Sequence, residues 1–335
     1  MPRNRLDKLF LRRIDPTLGN VTALDEVYKK ISQSESVKYA LGAMQPIDPQ
    51  YTKATFEQGD RVKNQLDAKL STSCSFAYQG SVTNDTHIKA KSDLDLLTVI
   101  KKFHDLEAPQ QPLYPYQGNP VQDMRDLRAA CEAVLISSFP QAKVDTSGSK
   151  AIAMEGGSLT RKIDVVPASW HHTNRYAQTQ LEIYKGVMVF DKDTGNRIPN
   201  APFLHNYLIG ERDAITRGGL RKASRLMKSL KYDADKVSIS SYDIVAIAYN
   251  IEASLLTLPK EAELTIVEIC HQYCSTLLAN ASLRASISVP VGNRKVFCPE
   301  GASEEGLAQL TAELAELRDD IISENSRSFT KLAQA

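Results

Sequence analysis

No apolar run in this 335-residue chain approaches the roughly 18 consecutive residues that a membrane-spanning helix needs. The start, Met1-Pro2-Arg3-Asn4-Arg5-Leu6-Asp7-Lys8, also lacks the apolar core of a signal peptide. No membrane is therefore expected as a partner, and the expected location is cytoplasmic. Net charge is nearly missing too: 41 basic against 40 acidic residues leave a formal +1. That balance argues against gripping a long nucleic acid with a dominant basic surface. The five cysteines, at 74, 131, 270, 274 and 298, form no disulfide framework, and an odd number suits a reducing compartment. No internal repeat is present. The length allows one large bilobal unit or two closely packed domains, with ample chain for a core.

What is present concentrates in Gly80 to Leu97, GSVTNDTHIKAKSDLDLL. A Gly-Ser turn precedes two aspartates, spaced by one residue, on an apolar run. In a strand, Asp93 and Asp95 share a face while Leu94 and Leu96 enter the core. Two carboxylates on one face suit hard cations that keep waters and phosphates in their shell. Gly80 lets backbone approach a phosphate, and Ser81 adds a hydroxyl and a nearby N–H. Each piece also has a plainer reading: Gly-Ser is a common turn, and a lone acid at a strand edge discourages aggregation. Their conjunction favours metal-bound nucleotide, because two desolvated acids without compensation are costly. A third carboxylate, Asp164, lies in the strand-like TRKIDVVP, with a turn at Gly156-Gly157-Ser158 and an antiparallel partner in Lys150 to Met154.

From Thr216, the sequence predicts an amphipathic helix. Arg217, Arg221, Arg225, Lys228 and Lys231 share one arc, and Leu220, Ala223, Leu226, Met227 and Leu230 occupy the adjoining one. A cationic face of this kind is either solvated surface or an anion site. Ser240-Ser241-Tyr242 opens the next apolar helix, where hydroxyls and free N–H groups favour an anion and a tyrosine ring can stack on a base.

The order GS, D-x-D, D, lysine helix, Ser-Ser-Tyr resembles the polymerase-β-like nucleotidyltransferase superfamily, and within it the bacterial CD-NTases of anti-phage signalling. Tyr184 to Asp191, then Gly195 to Pro202 and His205, is similar to that family's hairpin ending in an Asn-x-Pro turn. The resemblance covers about residues 45 to 290. It implies an α+β fold: a nucleotidyltransferase lobe with a mixed sheet, plus a helical C-terminal lobe. Asp93, Asp95 and Asp164 are then the catalytic metal ligands for two Mg2+, with Mn2+ able to substitute. Gly80 and Ser81 hold the triphosphate, Lys228 with Ser241 the phosphate tail, and Tyr242 a nucleobase; Lys231, one turn from Lys228, competes for its role. The implied product is a cyclic di- or trinucleotide second messenger made from NTPs, with ATP the expected substrate. The implied partners are an operon-encoded effector that senses the product, and a regulatory or conjugating protein acting at a C-terminus that reads Leu332-Ala333-Gln334-Ala335. No His-Cys-Cys cluster follows Asp164, so the zinc ribbon of animal relatives is missing. Two rivals stay open: linear nucleotide transfer to RNA or protein, and a nucleotide-sensing module without turnover.

The expected division is 1–210 for N-terminal helices and catalytic core, 211–325 for the helical lobe and 326–335 for a flexible tail. Helices are expected at Thr22 to Met44, Tyr51 to Leu70 (spanning both lobes), Val121 to Ser138 and Glu304 to Glu324. Gln110 to Tyr116 is a proline-rich surface loop. Asp191 to Gly195 reads as a hairpin turn rather than a calcium loop. Cys270 and Cys274 read as small core hydrophobes, with a zinc site including Cys298 as the lesser alternative.

Overall fold

The computed structural model describes residues 5–15, 18, 33–234 and 236–334. They form two compact units: a sheet unit of Pro49–Asn84 and Lys91–Tyr207, and a helical unit of the described residues in 1–48, Asp85–Ala90 and 208–335.

In the sheet unit, seven strands run β1 (Cys74–Gln79), β2 (Leu94–Leu106), β3 (Lys143–Asp145), β4 (Ile152–Gly156), β5 (Leu159–His172), β6 (Lys185–Phe190) and β7 (Arg197–Asn200). The sheet order is β1-β2-β5-β4-β3, with β6 on β5 and β7 on β6. Only β2 and β5 pair in parallel; every other pair is antiparallel. The mixed sheet expected from sequence is therefore present, with the Asp164 strand paired to 152–156 as anticipated. Leu94, Leu96, Ile100, Ile163 and Val165 pack against two helices, Pro49–Lys69 and Pro120–Ser138, through Val62, Leu66, Met124, Leu127 and Leu135. On the opposite face, Leu97, Val99, Val166, Ala168, Val187 and Val189 form a second cluster. Burial on both faces explains the nearly continuous apolar runs of β2 and β5.

The helix Pro49–Lys69 falls within the sheet unit from its first residue. Its Val62 and Leu66 pack in the cluster against the sheet. Asn119 caps Pro120–Ser138 by accepting from the N–H of Val121 and Gln122. In the proline-rich loop, Leu113 and Tyr114 are more than nine-tenths exposed. The carboxylate of Asp191 accepts from the N–H of Asp193 and Thr194, closing the hairpin turn between β6 and β7.

The helical unit is built from α1 (Arg5–Arg13), α2 (Glu35–Met44), α3 (Gly219–Asp233), α4 (Ser241–Asn250), α5 (Thr265–Ala279) and α6 (Glu304–Gln334) around one apolar cluster. The described N-terminal helices thus pack with the C-terminal ones. The reason is polar as well as apolar. Arg5 donates to Glu313 and Glu316 at 2.8 Å, Arg12 pairs with Asp233, and the Tyr39 hydroxyl donates to Asp233 at 2.8 Å. The expected helix from Thr22 is seen only as Glu35–Met44, residues 22–32 lying outside the described set. The last helix continues to Gln334, ten residues beyond the expected Glu324, because 325–334 contains neither proline nor glycine to stop it. Ala335 is outside the described residues. Cys270 and Cys274 are fully buried on α5, and burial raises both thiols, Cys274 to about 12. They serve as small hydrophobes. Among the described residues, no helix is long and apolar enough to cross a membrane.

Candidate active site

Asp93 and Asp95 lie at the entry end of β2, and Asp164 lies within β5 where its parallel pairing with β2 begins. Asp95 pairs in register with Asp164 across the β2–β5 ladder, and each also pairs outward, with Gln79 and Ala153 respectively. By strand alternation, both share a face with Leu97, Val99, Val166 and Ala168, so the apolar cluster of that face ends in a carboxylate pair. Asp93 is exposed and comes one residue before β2, not within it.

Electrostatics mark the pair as strained in charge. The carboxyl of Asp95 is raised to about 6, first by burial and then by the charges of Asp164 and Asp93, with Lys162 opposing. Lys162 Nζ donates to Asp164 Oδ2 at 2.9 Å, while Asp164 Oδ1 is buried without a hydrogen-bond partner. A buried carboxylate oxygen with no donor is costly unless something else approaches it. Among the described residues, no three His, Cys, Asp or Glu side chains form a ready-made metal cage. The residues nonetheless fit magnesium: the donors are all carboxylate oxygens, one of them is unsatisfied, and this cation takes much of its shell from water and phosphate.

Gly80 follows β1 with φ +91°, a left-handed conformation. A Cβ there would lie 2.7 Å from Asp95 Oδ2, so glycine is needed both for the turn and for the close approach to the acid. The turn is braced from inside. Thr83 donates its N–H at 3.2 Å and its hydroxyl at 2.7 Å to the Gly80 carbonyl. Asn206 Nδ2 donates to Thr83 Oγ1 at 2.9 Å, and Asn84 donates to Asn206 Oδ1 at 3.3 Å. Ser81 is half-buried in this turn. Sequence reading missed Lys162, Thr83 and Asn206. Lys162 was visible as the same-face i−2 neighbour of Asp164; Asn206 is 123 residues from Thr83 and gave no signal.

The other expected residues lie in the helical unit. Lys228 is 5% exposed, and its ammonium donates to the Thr86 carbonyl at 2.6 Å. Burial, then Arg225 and Lys231, lowers it to about 7. Arg225 is buried as well, donating to the carbonyls of Met44 and Asp85 at 2.8 and 2.7 Å. The continuous cationic face expected on α3 is therefore interrupted where backbone carbonyls pack onto it. Lys231 is half-buried and remains the more accessible ammonium. Ser240, not Ser241, caps α4 by accepting from the Asp243 N–H at 3.0 Å; Ser241 follows at the first helical position and is exposed. Tyr242 is 38% exposed, with the Arg294 guanidinium 5.3 Å from its ring centroid.

A mixed sheet with paired acids on adjacent strands, beside a left-handed Gly-Ser turn, is the core of a polymerase-β-like nucleotidyltransferase. No family model matches the chain. It is 35% identical over 320 residues to the cyclic dinucleotide synthase CdnE of Yersinia aleksiciae, covering 93% of this chain and 83% of that one. The solved c-di-GMP synthase CdnE from Capnocytophaga granulosa superposes with a TM-score of 0.79 at 27% identity, covering 96% of this chain and 98% of that one. That from Flavobacteriaceae sp. superposes with 0.80 at 25% identity and the same coverage. The chain belongs to the bacterial CD-NTase family.

Proposed function

We propose that this protein is a cyclic dinucleotide synthase, joining two ribonucleoside triphosphates with release of pyrophosphate, and that guanine supplies at least one base. The observation that carries the reading is the registered Asp95–Asp164 pair against the Gly80 turn, in a chain of this family. Guanine is favoured over the ATP expected from sequence because both solved relatives at 25–27% identity are named c-di-GMP synthases. Both are also described as STING-associated, which supports a product-sensing effector of that kind as partner.

Asp93, Asp95 and Asp164 would hold Mg2+, with Mn2+ as a substitute. A cation bound there would acidify the acceptor hydroxyl and offset charge on the α-phosphate. The unpartnered Asp164 Oδ1 offers an acceptor for the proton of that hydroxyl. The Gly80–Ser81 turn offers backbone N–H groups and a hydroxyl to the triphosphate, held in shape by Thr83 and Asn206. In the helical unit, the exposed start of α4 at Ser241 suits a phosphate oxygen, and the Tyr242 ring suits a base. Lys231 suits the phosphate role better than Lys228, whose ammonium is already engaged.

The test is incubation of purified protein with all four ribonucleoside triphosphates and Mg2+ or Mn2+, without nucleic acid, then phosphatase treatment and mass spectrometry. A phosphatase-resistant cyclic dinucleotide containing guanine is expected. Only linear products, or none with nucleotide still bound, would replace this reading with macromolecular transfer or nucleotide sensing.

A further inference from the structure

Lys162 brings to the carboxylate pair a positive charge, opposite in use to the proposed metal-binding function. It shares the face of Asp164 two residues along β5, and its ammonium stands 2.9 Å from Asp164 Oδ2. Both side chains are partly sheltered, 36% and 17% exposed, so their attraction is screened less than that of a surface pair. The other Asp164 oxygen has no partner. One oxygen of this carboxylate is thus occupied by a tethered cation and the other is open. The neighbouring acids, Asp95 and Asp93, also act on the Lys162 charge. A flexible four-carbon stem lets an ammonium swing away without disturbing the strand that carries it.

We propose that Lys162 is a built-in counter-ion that occupies Asp164 when the site holds no metal, and that divalent cation must displace it to bind. This rests on the reading of Asp93, Asp95 and Asp164 as metal ligands. The device has two consequences. Without cation, it reduces repulsion among acids that the fold forces together on two central strands of the sheet. With cation, it sets a threshold: binding is weak until a nucleotide arrives with phosphates that supply further ligands to the cation and an alternative partner for the released ammonium.

The experiment is direct Mn2+ binding to the nucleotide-free protein, read as free Mn2+ by electron paramagnetic resonance, for wild type, Lys162→Met and Lys162→Arg. Removing a positive charge this close to a ligand oxygen should tighten Mn2+ binding about tenfold or more in Lys162→Met. Lys162→Arg, which keeps the charge, should stay within about threefold of wild type. A second readout separates this role from simple support of the fold: Lys162→Met should melt below wild type in chelator, and the deficit should vanish at saturating Mn2+. Unchanged or weaker Mn2+ binding in Lys162→Met, or a melting deficit that persists at saturating Mn2+, would overturn the proposal. Wild type and Asp95→Asn/Asp164→Asn are measured alongside. Loss of Mn2+ binding in that double variant, with Lys162→Met equal to wild type, would sink the counter-ion role alone. Equal Mn2+ binding by wild type and the double variant would sink the metal site itself, and the counter-ion with it.

Discussion

Two places where this molecule shelters carboxylates from solvent treat them in opposite ways. In the helical unit, Asp233 is 3% exposed and fully engaged: Arg12 pairs with one oxygen and the Tyr39 hydroxyl donates to the other at 2.8 Å. In the sheet unit, Asp164 has one oxygen paired to Lys162 and one with no partner, and its register neighbour Asp95 is another acid. Burial alone therefore says little about function. What distinguishes a working acid from a structural one is whether the fold has already supplied its partners. Asp233 ties α1 and α2 to α3; Asp95 and Asp164 leave room for something from outside.

The sharpest way to break the comparison is to neutralise acids on each side and measure both activity and stability. Asp93→Asn with Asp95→Asn should cut cyclic product formation by at least about 1,000-fold, a loss of roughly 4 kcal/mol of transition-state stabilisation, while the protein stays folded. Product at near wild-type rate would mean these acids are not the catalytic ones. Asp233→Ala should do the reverse. It strands the Arg12 guanidinium, whose side chain is 5% exposed, and should cost about 3–5 kcal/mol of folding stability, read from the urea midpoint. A midpoint within about 1 kcal/mol of wild type would show that the buried network contributes little.

Gly80 tests the sheet side from the backbone. Alanine there must adopt φ +91° and place its Cβ 2.7 Å from Asp95 Oδ2. The expected result is a stability loss of about 1–3 kcal/mol and a larger fall in kcat than the modest change in fold would suggest, because the turn and the acid shift together. Wild-type kcat with ordinary stability would show that the turn does not set the position of Asp95.

The same contrast explains what could be read from the sequence. The paired acids, the Gly-Ser turn, the antiparallel partner of β5 and the mixed sheet were legible because they are local: a period of two, a turn residue and an apolar run suffice. The fate of α3 was not. Its arginines and lysines repeat at helical spacing like a solvated face, yet Arg225 and Lys228 are buried against carbonyls of Met44, Asp85 and Thr86, about 140–180 residues away in sequence. Nor does any local pattern disclose that residues 5–13 belong with the C-terminal helices, since that depends on Arg5 meeting Glu313 and Arg12 meeting Asp233. Ser240 and Ser241 show the limit at its finest: both open α4, but which one caps depends on a single residue of register.

The smallest expected effect is also the most specific. Asp95 is held near 6 in the folded protein against about 3.9 for an ordinary aspartate, so folding favours its protonated form. Between those values the folded state binds the extra proton. The ionised carboxyl therefore destabilises the metal-free protein, by an amount that is fully present above pH 6 and disappears as pH falls below about 4. Asp95→Asn removes the charge while keeping the shape. In chelator, it should raise the melting temperature at pH 7.5 by a few degrees, corresponding to about 1–2 kcal/mol, and the gain should shrink as pH falls and vanish below about pH 4. Saturating Mg2+ should reverse the ranking at pH 7.5, because only the wild type gains ligand binding energy there. The same substitution at Asp233 should be destabilising at pH 7.5 with or without metal, since both of its oxygens already have partners. If Asp95→Asn were instead destabilising in chelator at pH 7.5, Asp95 would be a satisfied structural acid like Asp233, and the distinction between the two regions would fall.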